Sequence, residues 1–208
     1  MVYTVGCNFR CPYCHNPELV DESVEKIWTE KQVLDFLKNR KHLLEGLVVT
    51  GGEPTIHDDL PNFIKKVKKL GFLVKLDSNG TNPQMLKQLV NAGLIDYVAM
   101  DIKSPLSRYS QVVCHPVNTK DIKKSISFLL KSKVPYEFRT TLVKSLVSPE
   151  DVEKIGRTIN GAEKYFLQKF IPTKILNPQF LRKATYSDEE LKILQTKLKK
   201  YVKHCAIR

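Results

Sequence analysis

No apolar run in this 208-residue chain approaches the ~18 residues that span a bilayer, and no charged-then-apolar leader opens it. A membrane-spanning protein is therefore excluded, and the expected compartment is the cytosol. Acidic residues are in deficit, 22 Asp and Glu against 34 Lys and Arg. Cysteine is scarce as well. Five is too few, and odd, for a disulfide scaffold. No linker or low-complexity tract divides the sequence, so one domain over residues 1–208 is expected. With 42% hydrophobic and 27% charged residues, the chain has the make-up of a folded protein, which excludes a disordered one.

The formal charge of +12 favours anionic partners. The basic residues are spread out, with short clusters at Lys65-Lys66, Lys68-Lys69, Lys123-Lys124 and Lys199-Lys200. These read as solvated helix faces. No nucleic-acid motif accompanies them, so nucleic acid is not read as a partner.

Three of the cysteines crowd together as Cys7-Asn-Phe-Arg-Cys11-Pro-Tyr-Cys14. In a cytosolic chain a tight trio means metal or redox chemistry rather than bridging. The spacing turns three soft thiolates toward one point, which suits zinc or an iron–sulfur cluster. No fourth cysteine lies nearby. Either His15 completes a Cys3His zinc site, or three thiolates hold three irons of a cluster and leave the fourth iron open. Cys114 and Cys205 are isolated and read as ordinary thiols. His57, His115 and His204 read as surface or core residues.

Beyond the trio, strand-like and helix-like segments alternate. Val2–Val5 is a short first strand. Buried parallel strands are expected at Gly46–Thr50, Phe72–Leu76, Ile95–Ile102, Tyr136–Val143 and Lys164–Phe170. Amphipathic helices are expected at Asp59–Leu70, Pro83–Ala92 and Thr119–Ser132. Thr29 with Gln32 has capping-box spacing, with Val33, Leu37 and Leu44 as its apolar stripe. Ser148-Pro149 and Ser187-Asp188-Glu189-Glu190 open two further helices. Six strands alternating with helices argue for an α/β fold with a parallel sheet, open or curved into a partial barrel. Gln168–Tyr186 has little periodicity and is expected to be an ordered loop over one end.

Right-handed crossovers would carry every strand's C-terminal end to one rim, where ligands of α/β folds collect. The cysteine loop, Gly51-Gly52-Glu53-Pro54, Asp77-Ser78-Asn79-Gly80 and Asp101-Ile102-Lys103 all follow or end strands, and Arg139 and Gln168 lie within two others. A carboxylate after two glycines suits exposed backbone with a ligand close by. Asp77 to Gly80 is equally a plain turn. Asp101 and Lys103 are either an ion pair or a ligand or cation site. Arg139 in an apolar strand requires an anionic partner. Gln168 is equally a satisfied core amide.

The Cys7-x3-Cys11-x2-Cys14 loop, with Tyr13 before its last cysteine, resembles the signature of the radical S-adenosylmethionine (SAM) superfamily. Gly51-Gly52-Glu53-Pro54 resembles its glycine-glycine-glutamate motif. Cys14-His15-Asn16-Pro17, Asp77 to Gly80 and Met100 to Lys103 are similar to the glycyl-radical-enzyme activases. The resemblance implies a partial (β/α)6 barrel and one [4Fe-4S] cluster on Cys7, Cys11 and Cys14, the catalytic centre. It implies SAM beside Tyr13, His15, Gly51, Gly52, Glu53, Asp77, Asp101, Lys103, Arg139 and Gln168, and a monovalent cation near Asp77 and Asp101. The implied reaction is reductive SAM cleavage to a 5′-deoxyadenosyl radical, which takes hydrogen from a glycine of a partner protein. The implied partners are a glycyl-radical enzyme of the anaerobic ribonucleotide reductase type and reduced flavodoxin or ferredoxin as electron donor. Alternatives are a small nucleotide-like substrate, as for 7-carboxy-7-deazaguanine synthase, and a non-enzymatic metal-binding module. The sequence departs from the family in having Phe170-Ile171-Pro172 where a ribose-contacting histidine is expected, and only six residues before Cys7, so either strand one is clipped or the start is miscalled.

Overall fold

The valine-, leucine- and aromatic-rich runs form strands because one face of each packs into the core. Val49, Val74, Leu76, Val98, Met100, Phe138 and Leu167 all lose their water completely. The computed structural model describes residues 1–208 and contains seven strands: β1 Val2–Thr4, β2 Gly46–Gly51, β3 Leu73–Ser78, β4 Tyr97–Asp101, β5 Tyr136–Leu142, β6 Lys164–Lys169 and β7 His204–Ile207. They form one sheet in the order β1 to β7, parallel throughout. β1 and β7 do not pair, so the sheet is an open α/β sheet rather than a closed barrel. The seventh strand, His204–Ile207, was not expected from the sequence.

Parallel neighbours need crossovers. The helices are α1 Pro17–Val20, α2 Glu30–Asn39, α3 Leu60–Lys69, α4 Pro83–Asn91, α5 Tyr109–Val113, α6 Thr119–Lys131, α7 Pro149–Thr158 and α8 Asp188–Leu198. Capping boxes start three of them: Thr29 with Gln32, Ser148 with Asp151 and Ser187 with Glu190. Leu44 lies beyond the end of α2 and Tyr201 beyond the end of α8, so neither belongs to a helical stripe. The apolar helix faces and one face of the sheet make a cluster of 45 buried residues. No helix is long and apolar enough to cross a membrane.

The register places the polar residues of the other face side by side. Asp101 opposes Arg139, Asp77 opposes Ala99, and Thr141 opposes Gln168. Because side chains alternate along a strand, Lys75, Asp77, Asp101, Glu137, Arg139, Thr141 and Gln168 share that face. Residues 170–187 contain only a short 3-10 turn, Pro178–Arg182, and an isolated bridge from Thr185 to Val143. They lie against the cysteine loop: Leu176 N–H donates to Cys14 O and Asn177 N–H to Pro12 O, both at 2.9 Å.

Candidate active site at the strand-end rim

The cysteine loop leaves β1 and is held by its own backbone. Cys14 N–H donates to Cys11 O at 3.0 Å, Arg10 N–H to Val113 O at 2.9 Å, and the Arg10 guanidinium to Cys7 O and Phe9 O at 2.6 and 2.9 Å. Phe9 N–H points at Cys7 Sγ, 3.4 Å away. Asn8 ties the loop to the end of β3, donating to Thr81 Oγ1 and accepting from Asn79 Nδ2, each at 2.8 Å.

Gly51 and Gly52 are required by this loop. Gly51 has φ +128°, and a Cβ there would stand 2.3 Å from Thr4 N. A Cβ on Gly52 would stand 1.9 Å from Gly6 O. The absent side chains let Gly52 N–H reach Thr4 O and Glu53 N–H reach Gly6 O, both at 2.9 Å. The close approach is thus that of β1 and the start of the cysteine loop.

Glu53 is 1% exposed and its carboxylate is a strut. Its Oε1 accepts from Thr55 Oγ1 at 2.5 Å, Thr55 N–H at 3.1 Å and Ser78 Oγ at 2.8 Å, and its Oε2 accepts from Asn79 N–H at 2.6 Å. Burial pushes its pKa up, and these donors oppose the rise.

Asp77, Asp101, Lys103 and Arg139 form one ion-paired group. Arg139 Nε donates to Asp101 Oδ1 at 2.8 Å and Nη1 to Asp77 Oδ2 at 3.2 Å. Lys103 Nζ donates to Asp101 Oδ2 at 3.1 Å. Burial alone would raise the Asp101 pKa, but Lys103 and Arg139 together hold it at about 2. Burial works against the charged forms of Lys103 and Arg139, and their carboxylate partners overcome it, raising both. Lys75 Nζ lies 2.9 Å from Asp77 Oδ1 without the alignment of a hydrogen bond, so this contact is one of charge.

All thirteen residues singled out from the sequence line a single cavity of about 290 Å³: Cys7, Cys11, Tyr13, Cys14, His15, Gly51, Gly52, Glu53, Asp77, Asp101, Lys103, Arg139 and Gln168. Gln168 is not a sealed core amide; its Oε1 accepts from Thr141 Oγ1 at 3.4 Å. Tyr13 is buried against Phe170, and its hydroxyl has no partner. Outside the cavity lie Cys205, buried in β7, Cys114, exposed after α5, and His57, His115 and His204.

Phe9 was missed and also lines the cavity, as an apolar wall. Also missed were Asn8, which secures the loop, and Lys75, Glu137 and Arg208 on the polar face. Their signal was the polar residue at every second position, as in Lys75 then Asp77, or Glu137 then Arg139, inside runs read as continuously apolar.

The donor set bears on the Cys3His zinc reading. His15 turns away, its Nε2 2.9 Å from Ile171 O and its ring against Phe170. No three His, Cys, Asp or Glu side chains close on a point suited to a single ion. Zinc draws its thiolates in to ~2.3 Å, whereas a cluster gives each thiolate its own iron. Cys7, Cys11 and Cys14 all line the same cavity, and His15 does not join them as a fourth ligand. Burial raises the Cys7 pKa and pushes Cys11 up to about 12, so without a bound metal these are protonated, weakly nucleophilic thiols.

Residues 1–159 match the radical SAM superfamily. The chain belongs to that superfamily. Radical SAM proteins use a [4Fe-4S] cluster and SAM, and Cys7, Cys11 and Cys14 supply three thiols in one cavity. A radical SAM relative in Methanocaldococcus jannaschii, named provisionally as a glycyl-radical enzyme activating enzyme, is 34% identical. The match covers 100% of this chain and 88% of the relative. Among solved structures, SuiB of Streptococcus suis bound to S-adenosylmethionine superposes with a TM-score of 0.76 over 99% of this chain and 49% of its own, at 13% identity. A domain of the pyruvate-formate lyase-activating enzyme from Bacteroides vulgatus superposes with a TM-score of 0.61 over 78% of this chain and 98% of its own, at 17% identity. Those two likenesses concern the radical SAM fold alone.

Proposed function

We propose that this chain is a glycyl-radical-enzyme activase of the cytosol, acting as one catalytic unit over residues 1–208. Cys7, Cys11 and Cys14 would hold the cluster. When bound and reduced by a flavodoxin or ferredoxin, the cluster supplies the electron that cleaves SAM, and hydrogen is then taken from a glycine of the partner. The remaining work falls to the chain's own residues. Gly51 and Gly52 present backbone to the SAM amino group, while Glu53 holds the strand ends in place. Tyr13 and His15 flank the adenine side, and Phe170 fills the wall behind them. The charged group of Asp77, Asp101, Lys103 and Arg139 faces the methionyl end, with Gln168 beside it.

The observation that carries this reading is the thiol trio lining the polar cavity together with the strand-end residues, with His15 engaged by Ile171 O rather than by the cysteines. The near-full-length likeness to an activating-enzyme relative favours a protein substrate. A partner of the anaerobic ribonucleotide reductase type is the first to test.

The anaerobically loaded protein is mixed with SAM, reductant and that partner, and paramagnetic resonance is recorded. A stable glycyl radical on the partner supports the reading. Turnover of a small pterin, with no radical on any such partner, replaces it with a small-molecule enzyme. A colourless protein holding one zinc leaves a metal-binding module. Replacing Cys11→Ala should abolish SAM cleavage, and retained cleavage would overturn the ligand assignment.

A further inference from the structure

Two carboxylates at the edge of a ligand pocket, Asp77 and Asp101, suit a monovalent cation, as the family resemblance implies. The residues around them do not fit one. Three of the four carboxylate oxygens are already held by Arg139 and Lys103, at 2.8, 3.2 and 3.1 Å. The fourth, Asp77 Oδ1, lies 2.9 Å from the Lys75 ammonium. A hard cation gathers about six oxygen ligands. An ion reaching for Asp77 Oδ1 would instead meet an ammonium and a guanidinium.

The arrangement is fixed by the sheet. Asp101 and Arg139 are direct partners across β4 and β5, so the guanidinium emerges between the two acids from the same face. The Arg139 side chain is 11% exposed and that of Lys103 16%. The planar fork of arginine spans two carboxylates as a spherical ion would, and it does not dissociate.

We propose that Arg139, flanked by Lys103 and Lys75, is a built-in replacement for the monovalent cation, so that this chain binds SAM without an alkali metal ion. The inference rests on the reading of this cavity as the SAM site. Around Asp77 and Asp101, apart from the strut formed by Glu53, three cations face two carboxylates, and Lys103 and Arg139 are the cations that line the cavity and can meet the carboxylate of the ligand.

The test is equilibrium dialysis of labelled SAM against the loaded wild-type protein in choline, sodium and potassium chloride at equal ionic strength. The expected result is the same affinity in all three salts, within about twofold, because the interaction energy of a fixed internal cation is present in each. An affinity at least about tenfold higher in sodium or potassium than in choline, the size of a charge-assisted contact, overturns the inference while leaving the SAM site intact. No binding in any salt overturns the reading of the site and this inference with it. The Arg139→Gln protein should lose about tenfold in choline and regain affinity in potassium. Undiminished binding by that variant in choline also overturns the inference. The wild-type salt series decides the matter even if the variant does not fold.

Discussion

At the residue scale, two glycines and one aspartate show how little freedom the site leaves. Gly52 faces a carbonyl, not a flexible side chain, so Gly52→Ala forces backbone apart at the root of the cysteine loop. The expected cost is at least about 3 kcal/mol, the upper range for overpacking a rigid site. Lower iron content per chain after anaerobic loading, together with a lower melting temperature, would show it. Asp101 gives a pH signature. Its pKa is depressed from 3.8 to about 2. A depressed carboxylate contributes stability above its unfolded pKa and loses it as pH falls through the folded one. The stability gap between wild type and Asp101→Asn should therefore be constant above about pH 4 and shrink between about pH 4 and 2. At neutral pH the gap should be about 3 kcal/mol, since the variant strands Lys103 and leaves Arg139 with Asp77 alone. Denaturant titrations across that range measure it, and a gap that persists unchanged at pH 2 contradicts the ion-pair assignment.

At the element scale, the sequence spoke most clearly where local chemistry and tertiary packing agree. The capping residues Thr29, Ser148 and Ser187 each start a helix because a side-chain oxygen meets a free N–H within one turn. β2 to β6 were visible because burial of one face keeps an apolar residue at every second position or more. β7 was not visible: His204 to Ile207 is four residues long, lacks periodicity, and pairs only because β6 presents an open edge. That thirteen residues would share one cavity was legible from polar residues at or near strand ends, whereas Lys75, Glu137 and Arg208 were hidden by their apolar neighbours. How Glu53 spends its carboxylate was also hidden, because its partners Ser78 and Asn79 come from another strand end. A local cap should behave locally. Ser187→Ala removes the acceptor for Glu190 N–H at the start of α8, far in sequence from the cysteine loop. The expected loss is about 1 kcal/mol of stability with SAM affinity unchanged. Chemical denaturation and dialysis on the same protein test both halves.

At the scale of the whole molecule, an open sheet must hold its far edge by something other than closure. β7 is secured to the interior by one charged contact. Arg208 donates to Glu137 Oε1 and Oε2 at 3.0 and 3.2 Å and lies over the Phe166 ring, 3.4 Å from its centroid. Glu137 is 3% exposed, and its other partner is the Tyr97 hydroxyl at 3.1 Å. The contact runs from β5 across β6 to the end of β7, and so spans the strands that carry Arg139 and Gln168. Arg208→Ala alone leaves a buried carboxylate short of donors, whereas Glu137→Gln with Arg208→Ala removes the stranded charge. The single change should cost about 3 kcal/mol, and the double change should recover a substantial part of that loss. A double-mutant cycle by denaturant unfolding measures the coupling. Simple additivity of the two substitutions would mean that β7 is held by its backbone ladder alone.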